Sequence, residues 1–193
     1  MLVNVGSRAA GFTLIELFVA LVIVVLLMLL GVPSFTTFLR NSEIRSTAES
    51  ILTGLRTATT TAANRNGRIV FEFTNPGTAD WKFYGFDDDG VTPTAPFQTY
   101  SSKEAGKNST VTLTPGGQAT VTFTGLGRVA VNPATPDDHF RQIDISNVAG
   151  DGRPLRIIVD DPAPADPTKP RGLRLCDPDP ALSALSPPDP KAC

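Results

Sequence analysis

The chain has 193 residues and a formal net charge of −2, and 41% of its residues are hydrophobic. This length suffices for one folded domain of ordinary size beside a short N-terminal segment. The apolar fraction argues against an intrinsically disordered chain, and the near-neutral charge argues against a protein that coats nucleic acid.

The N-terminus contains a long apolar stretch with one charged residue inside it. Phe12–Val32 would measure about 31 Å as a helix at 1.5 Å per residue, which matches the hydrocarbon core of a bilayer. Glu16 is its only charged residue, and a charge at mid-membrane costs about 2.5 to 3.5 kcal/mol on insertion scales. The small residues Ala9, Ala10 and Gly11 precede the apolar run, so an ordinary signal-peptide cleavage after the run has no obvious site. A simple membrane anchor would explain the length but not Glu16.

The sequence GFTLIE, residues 11–16, resembles the processing motif of type IV pilins and type II secretion pseudopilins. In that family a prepilin peptidase cleaves after the glycine, on the cytoplasmic side of the membrane, and methylates the new N-terminus. The resemblance implies cleavage after Gly11 and N-methylation of Phe12. It also implies that Glu16 meets the N-terminal amine of a neighbouring subunit. A buried ion pair offsets its desolvation cost only with good geometry, so this contact would fix the filament register. The alternative is that Glu16 merely lies at the membrane interface.

A second periodic segment follows Pro33, a residue that can either kink or end a membrane helix. Apolar or small residues recur at the spacing of one helix face, which predicts an amphipathic helix ending near Asn64. The run Asn64-Arg65-Asn66-Gly67 supplies the end signal. Phe12–Asn64 is therefore predicted to form one long helix. The residues of the apolar stripe are Ile44, Ala48, Ile51, Leu52, Leu55, Ala58, Thr59 and Ala62.

From Gly67 onward, short β-type runs alternate with turn residues. Two hairpins are predicted, Arg68–Thr74 with Trp81–Phe86 and Thr110–Thr114 with Ala119–Thr124. Further strands that would complete a mostly antiparallel sheet are Arg128–Val131, Arg141–Ser146 and Leu155–Asp160. One long helix packed on such a sheet is an α+β arrangement, and the resemblance to pilins implies that this arrangement is the type IV pilin fold.

Three segments resemble the GspH/FimT/FimU group of the pilin superfamily. They are SILTGLRTATTTAANRNGRIVFEF at 50–73, VTFTGLGRVA at 121–130 and RLCDP at 174–178. Members of this group are minor pilins or minor pseudopilins, low-copy subunits that prime assembly and lie at or near the filament tip.

The resemblance implies a leader at 1–11, a transmembrane and assembly helix at 12–33, and a periplasmic globular domain at 34–193. The protein would be held in the bacterial inner membrane and then enter the pilus. The implied partners are major and minor pilins, the prepilin peptidase and the inner-membrane assembly platform. A minor type IV pilin of the FimT/FimU kind is favoured. A GspH-like secretion pseudopilin, a DNA-uptake pilin and a membrane-anchored binding module that never polymerises are the alternatives.

The sequence indicates neither an enzyme nor a cofactor. His139 is the single histidine and is expected to be structural in a surface turn, and no metal-binding pattern of His and Cys is present. The run Asp87-Asp88-Asp89-Gly90 is predicted to be a solvated turn, since its spacing does not fit a calcium loop. The cysteines, Cys176 and Cys193, are expected to form a disulfide if the domain lies outside the cytoplasm. Two unrelated thiols are the alternative.

Basic residues cluster near the C-terminus and could bind the phosphates of DNA. They are Arg153, Arg156, Lys169, Arg171 and Arg174. Some FimT-type pilins bind DNA through a Gly-Arg-x-Arg motif, whereas this chain has Arg171-Gly172-Leu173-Arg174, with the first two positions exchanged. The favoured alternative is that these side chains line an interface with another pilin or pair with the nearby acidic residues Asp160, Asp161, Asp166 and Asp177.

Overall fold

The computed structural model describes residues 11–75, 77–87, 90–103, 106–130, 138–150, 152–159, 172–185, 189 and 191–193. The chain divides into two compact units, Met1–Phe38 and Leu39–Cys193. Helix α1 (Leu14–Arg65) begins in the first unit and ends in the second. The single long helix predicted from the sequence is thus observed, with each end within two residues of the prediction.

The C-terminal end of α1 is a Schellman motif. The Gly67 N–H donates to the Ala62 carbonyl at 3.1 Å, and the Asn66 N–H donates to the Ala63 carbonyl at 3.2 Å. Asn66 adopts a positive φ of 48°, the left-handed conformation this motif requires. The end signal predicted at 64–67 is confirmed, and the motif uses the last two residues of that run.

The second unit contains the C-terminal half of α1, eight strands and a short helix among the described residues. The strands are β1 (Ile69–Phe73), β2 (Trp81–Tyr84), β3 (Gln98–Tyr100), β4 (Ser109–Thr114), β5 (Thr120–Phe123), β6 (Gln142–Asn147), β7 (Leu155–Ile158) and β8 (Arg174–Cys176), and the short helix is α2 (Pro180–Ser183). They form two four-stranded sheets, with orders β3-β2-β1-β5 and β4-β6-β7-β8. All paired strands are antiparallel. The α+β class is confirmed, although the strands form two sheets where one was expected.

The first predicted hairpin is confirmed, and the second is wrong. β1 pairs with β2 in a register that places Phe71 opposite Phe83. β4, in contrast, pairs with β6, and β5 pairs with β1. The Pro-Gly-Gly turn at 115–117 therefore carries the chain from one sheet to the other. The predicted strand Arg128–Val131 is also not found among its described residues, where Val129 makes only an isolated bridge to Phe123.

One hydrophobic core joins both sheets to α1. Seven residues of the predicted stripe are buried, and Thr59 is half-buried. The stripe packs with aromatic side chains, among which Trp81 stacks between Phe71 at 5.2 Å and Tyr100 at 5.6 Å. The amphipathic helix predicted from periodicity is confirmed.

Candidate functional site

The candidate site is the N-terminal segment of α1, where Thr13 caps the helix. Thr13 Oγ1 accepts a hydrogen bond from the backbone N–H of Glu16 at 3.3 Å, and the Thr13 carbonyl accepts one from Leu17 at 3.2 Å. Thr followed three residues later by Glu is the capping-box pattern, which satisfies N–H groups that lack helical partners. Helix α1 therefore begins at Leu14. Gly11 and Phe12 lie outside it.

The peptide bond between Gly11 and Phe12 is accessible. The Phe12 side chain is 83% exposed, and a Cβ atom placed on Gly11 would meet no other atom within 4 Å. Gly11 does not adopt a positive φ. Nothing in the described part of the chain therefore requires glycine at this position for a steric or conformational reason.

Glu16 lies in the first turn of α1 and is exposed. Its negative charge is favourably placed there, because the N-terminus of a helix carries a partial positive charge. Within the described residues no cationic side chain pairs with its carboxylate, and the side chains that follow it are apolar up to Pro33. The charge is therefore available to a partner outside the fold.

The surface of α1 that follows is apolar and uncovered. From Phe12 to Leu29, every large apolar side chain is exposed. Among the described helices, α1 is the one long and apolar enough to cross a membrane by length and composition. Since exposed apolar surface is costly in water at about 25 cal/mol per Å², this part of the helix requires lipid or another protein around it.

At the other end of the chain, Cys176 and Cys193 form the disulfide predicted from the sequence, with their Cα atoms 5.1 Å apart. Cys193 N–H also donates to the Asp177 carbonyl at 3.0 Å, and Asp177 N–H donates to the Lys191 carbonyl at 2.7 Å. The disulfide and these backbone bonds fix the last residues of the chain against the end of β8.

Two arginines of the basic cluster form ion pairs. Arg156 contacts both oxygens of the Asp144 carboxylate, at 2.6 and 3.3 Å. Arg153 pairs with Asp177, one of the acidic residues predicted as a partner. Arg174 lies in β8 opposite Ile158 and is half-buried. Lys169, Arg171, Asp160, Asp161 and Asp166 lie outside the described residues, so DNA binding through Arg171 and Arg174 stays a prediction.

His139 is 2% exposed, which corrects the expectation of a surface turn. Its Nδ1 lies 2.8 Å from the Asp138 carboxylate, and the adjacent Phe140 is fully buried, so the histidine is part of the packed interior. Asp87 and Gly90 close a turn through a 2.8 Å backbone hydrogen bond, as predicted, while Asp88 and Asp89 lie outside the described residues. The described residues contain no group of three or more His, Cys, Asp or Glu side chains suited to a metal ion.

The role of Thr13 was not predicted from the sequence, although its signal is present. Thr13 and Glu16 have the capping-box spacing at the start of an apolar run. Arg45 and Lys191, which line one groove with Arg153, were also missed. No local pattern could have revealed this grouping, because the residues are far apart in the sequence and only the packing of α1 on the second sheet brings them together.

The fold and the N-terminal segment define a pilin-like α+β protein, with a long helix that is apolar and uncovered at its N-terminal end. The family model of type II transport protein GspH matches residues 47–162, and the chain belongs to this family. At the level of the family it is a pseudopilin or minor pilin. No curated protein and no solved structure matches the chain.

Proposed function

We propose that this protein is a minor type IV pilin of the FimT/FimU kind, cleaved by a prepilin peptidase after Gly11 and incorporated into the pilus through α1. The observation that carries the proposal is the position of the Gly11–Phe12 bond. The bond is exposed, it lies two residues before the first residue of α1, and an uncovered apolar helix surface follows it.

Processing at this bond is supported by the geometry of the segment. Helix α1 begins at Leu14, after the Thr13 cap, so the Gly11–Phe12 bond lies outside the helix and a peptidase can bind it in an extended conformation. The fold itself does not require glycine at position 11, because a Cβ there would meet open space. A peptidase whose active site admits no side chain at this position would explain why the chain has glycine there.

Assembly through α1 is supported by the charge of Glu16 in an otherwise apolar helix segment. Cleavage would create an ammonium group on Phe12, close to the carboxylate of Glu16. Two opposite charges in an apolar environment offset their desolvation only when they are paired and hydrogen-bonded. Glu16 has no cationic partner within the described residues, so the amine of a neighbouring subunit would complete the pair and set the register.

The proposed organisation is a leader at 1–11, a membrane and assembly helix at 12–33, and a periplasmic domain at 34–193. A single N-terminal apolar helix suits a protein anchored in the inner membrane. The disulfide suits an oxidising compartment such as the periplasm. The partners would then be other pilins, the peptidase and the assembly platform.

Intact-mass measurement of the chain purified from membranes tests the processing step. With the peptidase present, the mass should correspond to a chain that begins at Phe12 and carries one added methyl group. Gly11→Val should leave the leader attached. Glu16→Gln serves as the control, since it leaves the scissile bond unchanged and should still be cleaved. An unprocessed wild-type chain in the presence of an active peptidase would contradict the proposal.

A minor pseudopilin of a type II secretion system is the second candidate, and the description of the matching family model favours it. The two roles separate in a deletion strain of the source organism. Loss of surface pili with normal protein secretion supports the pilus subunit. Loss of exoprotein secretion with normal pili supports the pseudopilin and overturns the first candidate.

A further inference from the structure

A groove of about 350 Å³ lies on the second unit, where the C-terminal half of α1 meets the end of the second sheet. Its polar rim consists of Arg45 from α1, Arg153 from the segment before β7 and Lys191 from the C-terminal segment. Its apolar lining includes Leu155 and Leu175. We call this feature the basic groove.

The basic groove has an excess of positive charge. Among the described residues that line it, Asp177 is the one acid, and its side chain is 7% exposed. Both oxygens of this carboxylate are engaged, since Oδ2 pairs with Arg153 Nε and Oδ1 accepts a hydrogen bond from the Asp179 N–H at 3.0 Å. Asp177 therefore offsets the charge of Arg153, and Glu49 on α1 pairs with Arg45. Three cations against these two carboxylates leave one positive charge among the described residues of the groove and their ion-pair partners.

The guanidinium groups of Arg45 and Arg153 are accessible although each has a carboxylate partner. The Arg45 side chain is 74% exposed, and its partner among the described residues is Glu49, an exposed residue one turn away whose carboxylate contacts Arg45 Nε. Such an i, i+4 pair on a helix surface is weak and exchanges readily with another carboxylate. The Arg153 side chain is 59% exposed although its Nε is paired, so its terminal nitrogens can still donate.

The backbone holds the three side chains in place. Arg153 N–H donates to Asn41 Oδ1 on α1 at 2.8 Å, which ties the segment before β7 to the helix. Lys191 is held through its carbonyl, which accepts from Asp177, and through the disulfide two residues later. The groove is thus built by contacts among parts of the chain that are far apart in sequence.

We infer that the basic groove binds an acidic segment of another protein chain, with carboxylate side chains paired to Arg45, Arg153 and Lys191. One feature favours a peptide over nucleic acid. The apolar lining of Leu155 and Leu175 offers contact to aliphatic side chains between the acidic residues, which a phosphate backbone lacks. The inference depends on the groove alone and not on how α1 assembles.

Binding of a fluorescein-labelled peptide of alternating glutamate and leucine tests this inference, with the full chain in neutral detergent micelles. The peptide should bind, and its affinity should fall as salt rises because the charged groups are exposed. The same peptide with glutamine in place of glutamate should not bind. The double variant Arg45→Gln, Lys191→Gln should weaken binding at least about tenfold, roughly the loss of two charge-assisted contacts.

The matched control is Arg56→Gln, which removes the same charge from the same helix about 16 Å away along its axis. It should bind the peptide like the wild type. Cys193→Ser should also weaken binding, because it releases Lys191. Equal binding of the glutamine peptide, or equal loss in Arg56→Gln and the double variant, would overturn the inference. Tighter binding of a single-stranded oligonucleotide that displaces the peptide would overturn it in favour of a nucleic-acid groove.

Discussion

Gly54 shows how a single residue determines the contact between α1 and the first sheet. A Cβ atom at this position would lie 2.7 Å from two ring atoms of Trp81, which is 1% exposed and stacked between other aromatic rings. Glycine in a helix usually costs about 1 kcal/mol relative to alanine. At Gly54 the close approach reverses that preference, because the indole is buried and stacked against Phe71 and Tyr100.

Gly54→Ala should therefore lower the free energy of unfolding by about 1–3 kcal/mol, the usual cost of overpacking. Urea denaturation followed by fluorescence measures this directly, since Trp81 is the only tryptophan. Gly116→Ala is the control, because a Cβ there would meet no atom within 4 Å and φ is not positive. A Gly54→Ala variant as stable as Gly116→Ala would contradict the packing argument.

Asp80 makes the stability of the second unit depend on pH. Burial alone would raise the pKa of its carboxyl, but hydrogen bonds from Ser102 N–H at 2.6 Å, Ser102 Oγ at 2.8 Å and Thr78 Oγ1 at 3.0 Å outweigh it and hold the pKa below its ordinary value of 3.8. A lowered pKa in the folded state stabilises the fold above the unfolded pKa. This contribution is lost as pH falls from about 4 through the folded pKa.

We expect the free energy of unfolding of the wild type to decrease over that acidic range, and to decrease less steeply in Asp80→Asn. The amide cannot take up the proton that the unfolded carboxylate binds first. Urea titrations between neutral pH and about pH 3 provide the comparison, with the slope related to the difference in bound protons. Identical slopes in the two proteins would show that Asp80 does not contribute.

At the scale of elements, local patterns predicted what is local. The stripe from Ile44 to Ala62 predicted the buried face of α1, because helix periodicity is contained within the segment itself. The β1–β2 hairpin could be predicted in the same way, because its turn directly joins its two strands. The candidate cleavage site was predicted from a pattern that is equally local, since Gly11, Phe12 and Glu16 lie within six residues, and it stays a prediction.

The predictions that were wrong, or that were not made, concerned contacts between distant segments of the chain. β4 and β5 flank a turn-like sequence, but Thr114 pairs with Gln142 and Thr120 pairs with Glu72. The choice of sheet is made by residues that no short window contains. β3 and β8 have only three residues each, too few to show an alternating pattern. The basic groove was missed because it joins α1 to the C-terminus.

The C-terminal segment is an element whose position depends on its disulfide. The bond joins residues separated by 17 positions in the sequence, and closing a loop of that size stabilises a fold by about 3 kcal/mol in the chain-entropy account. Cys193→Ser should lower the free energy of unfolding by an amount of that order. Urea denaturation of the variant and of the wild type in the presence of reductant should give matching midpoints. A variant as stable as the oxidised wild type would contradict this expectation.

At the scale of the whole molecule, the two units differ in the exposure of their large apolar side chains. The second unit buries its apolar side chains in one core, whereas the first exposes all its large apolar side chains from Phe12 to Leu29. This exposed apolar surface requires lipid or another protein around it. In the proposed function, the helix lies first in the membrane and then against other subunits in the filament. The charge of Glu16 would be needed in the filament and not in the membrane.

Glu16→Gln should therefore separate anchoring from assembly. The amide keeps the size of the side chain and removes the charge that the Phe12 amine would meet. The variant should be inserted and processed like the wild type but should be absent from sheared filaments, as measured by immunoblots of membrane and filament fractions. Glu49→Gln is the matched control, since it neutralises an exposed carboxylate of the same helix in the second unit. Filaments that contain Glu16→Gln at the wild-type level would leave the carboxylate without a role in register.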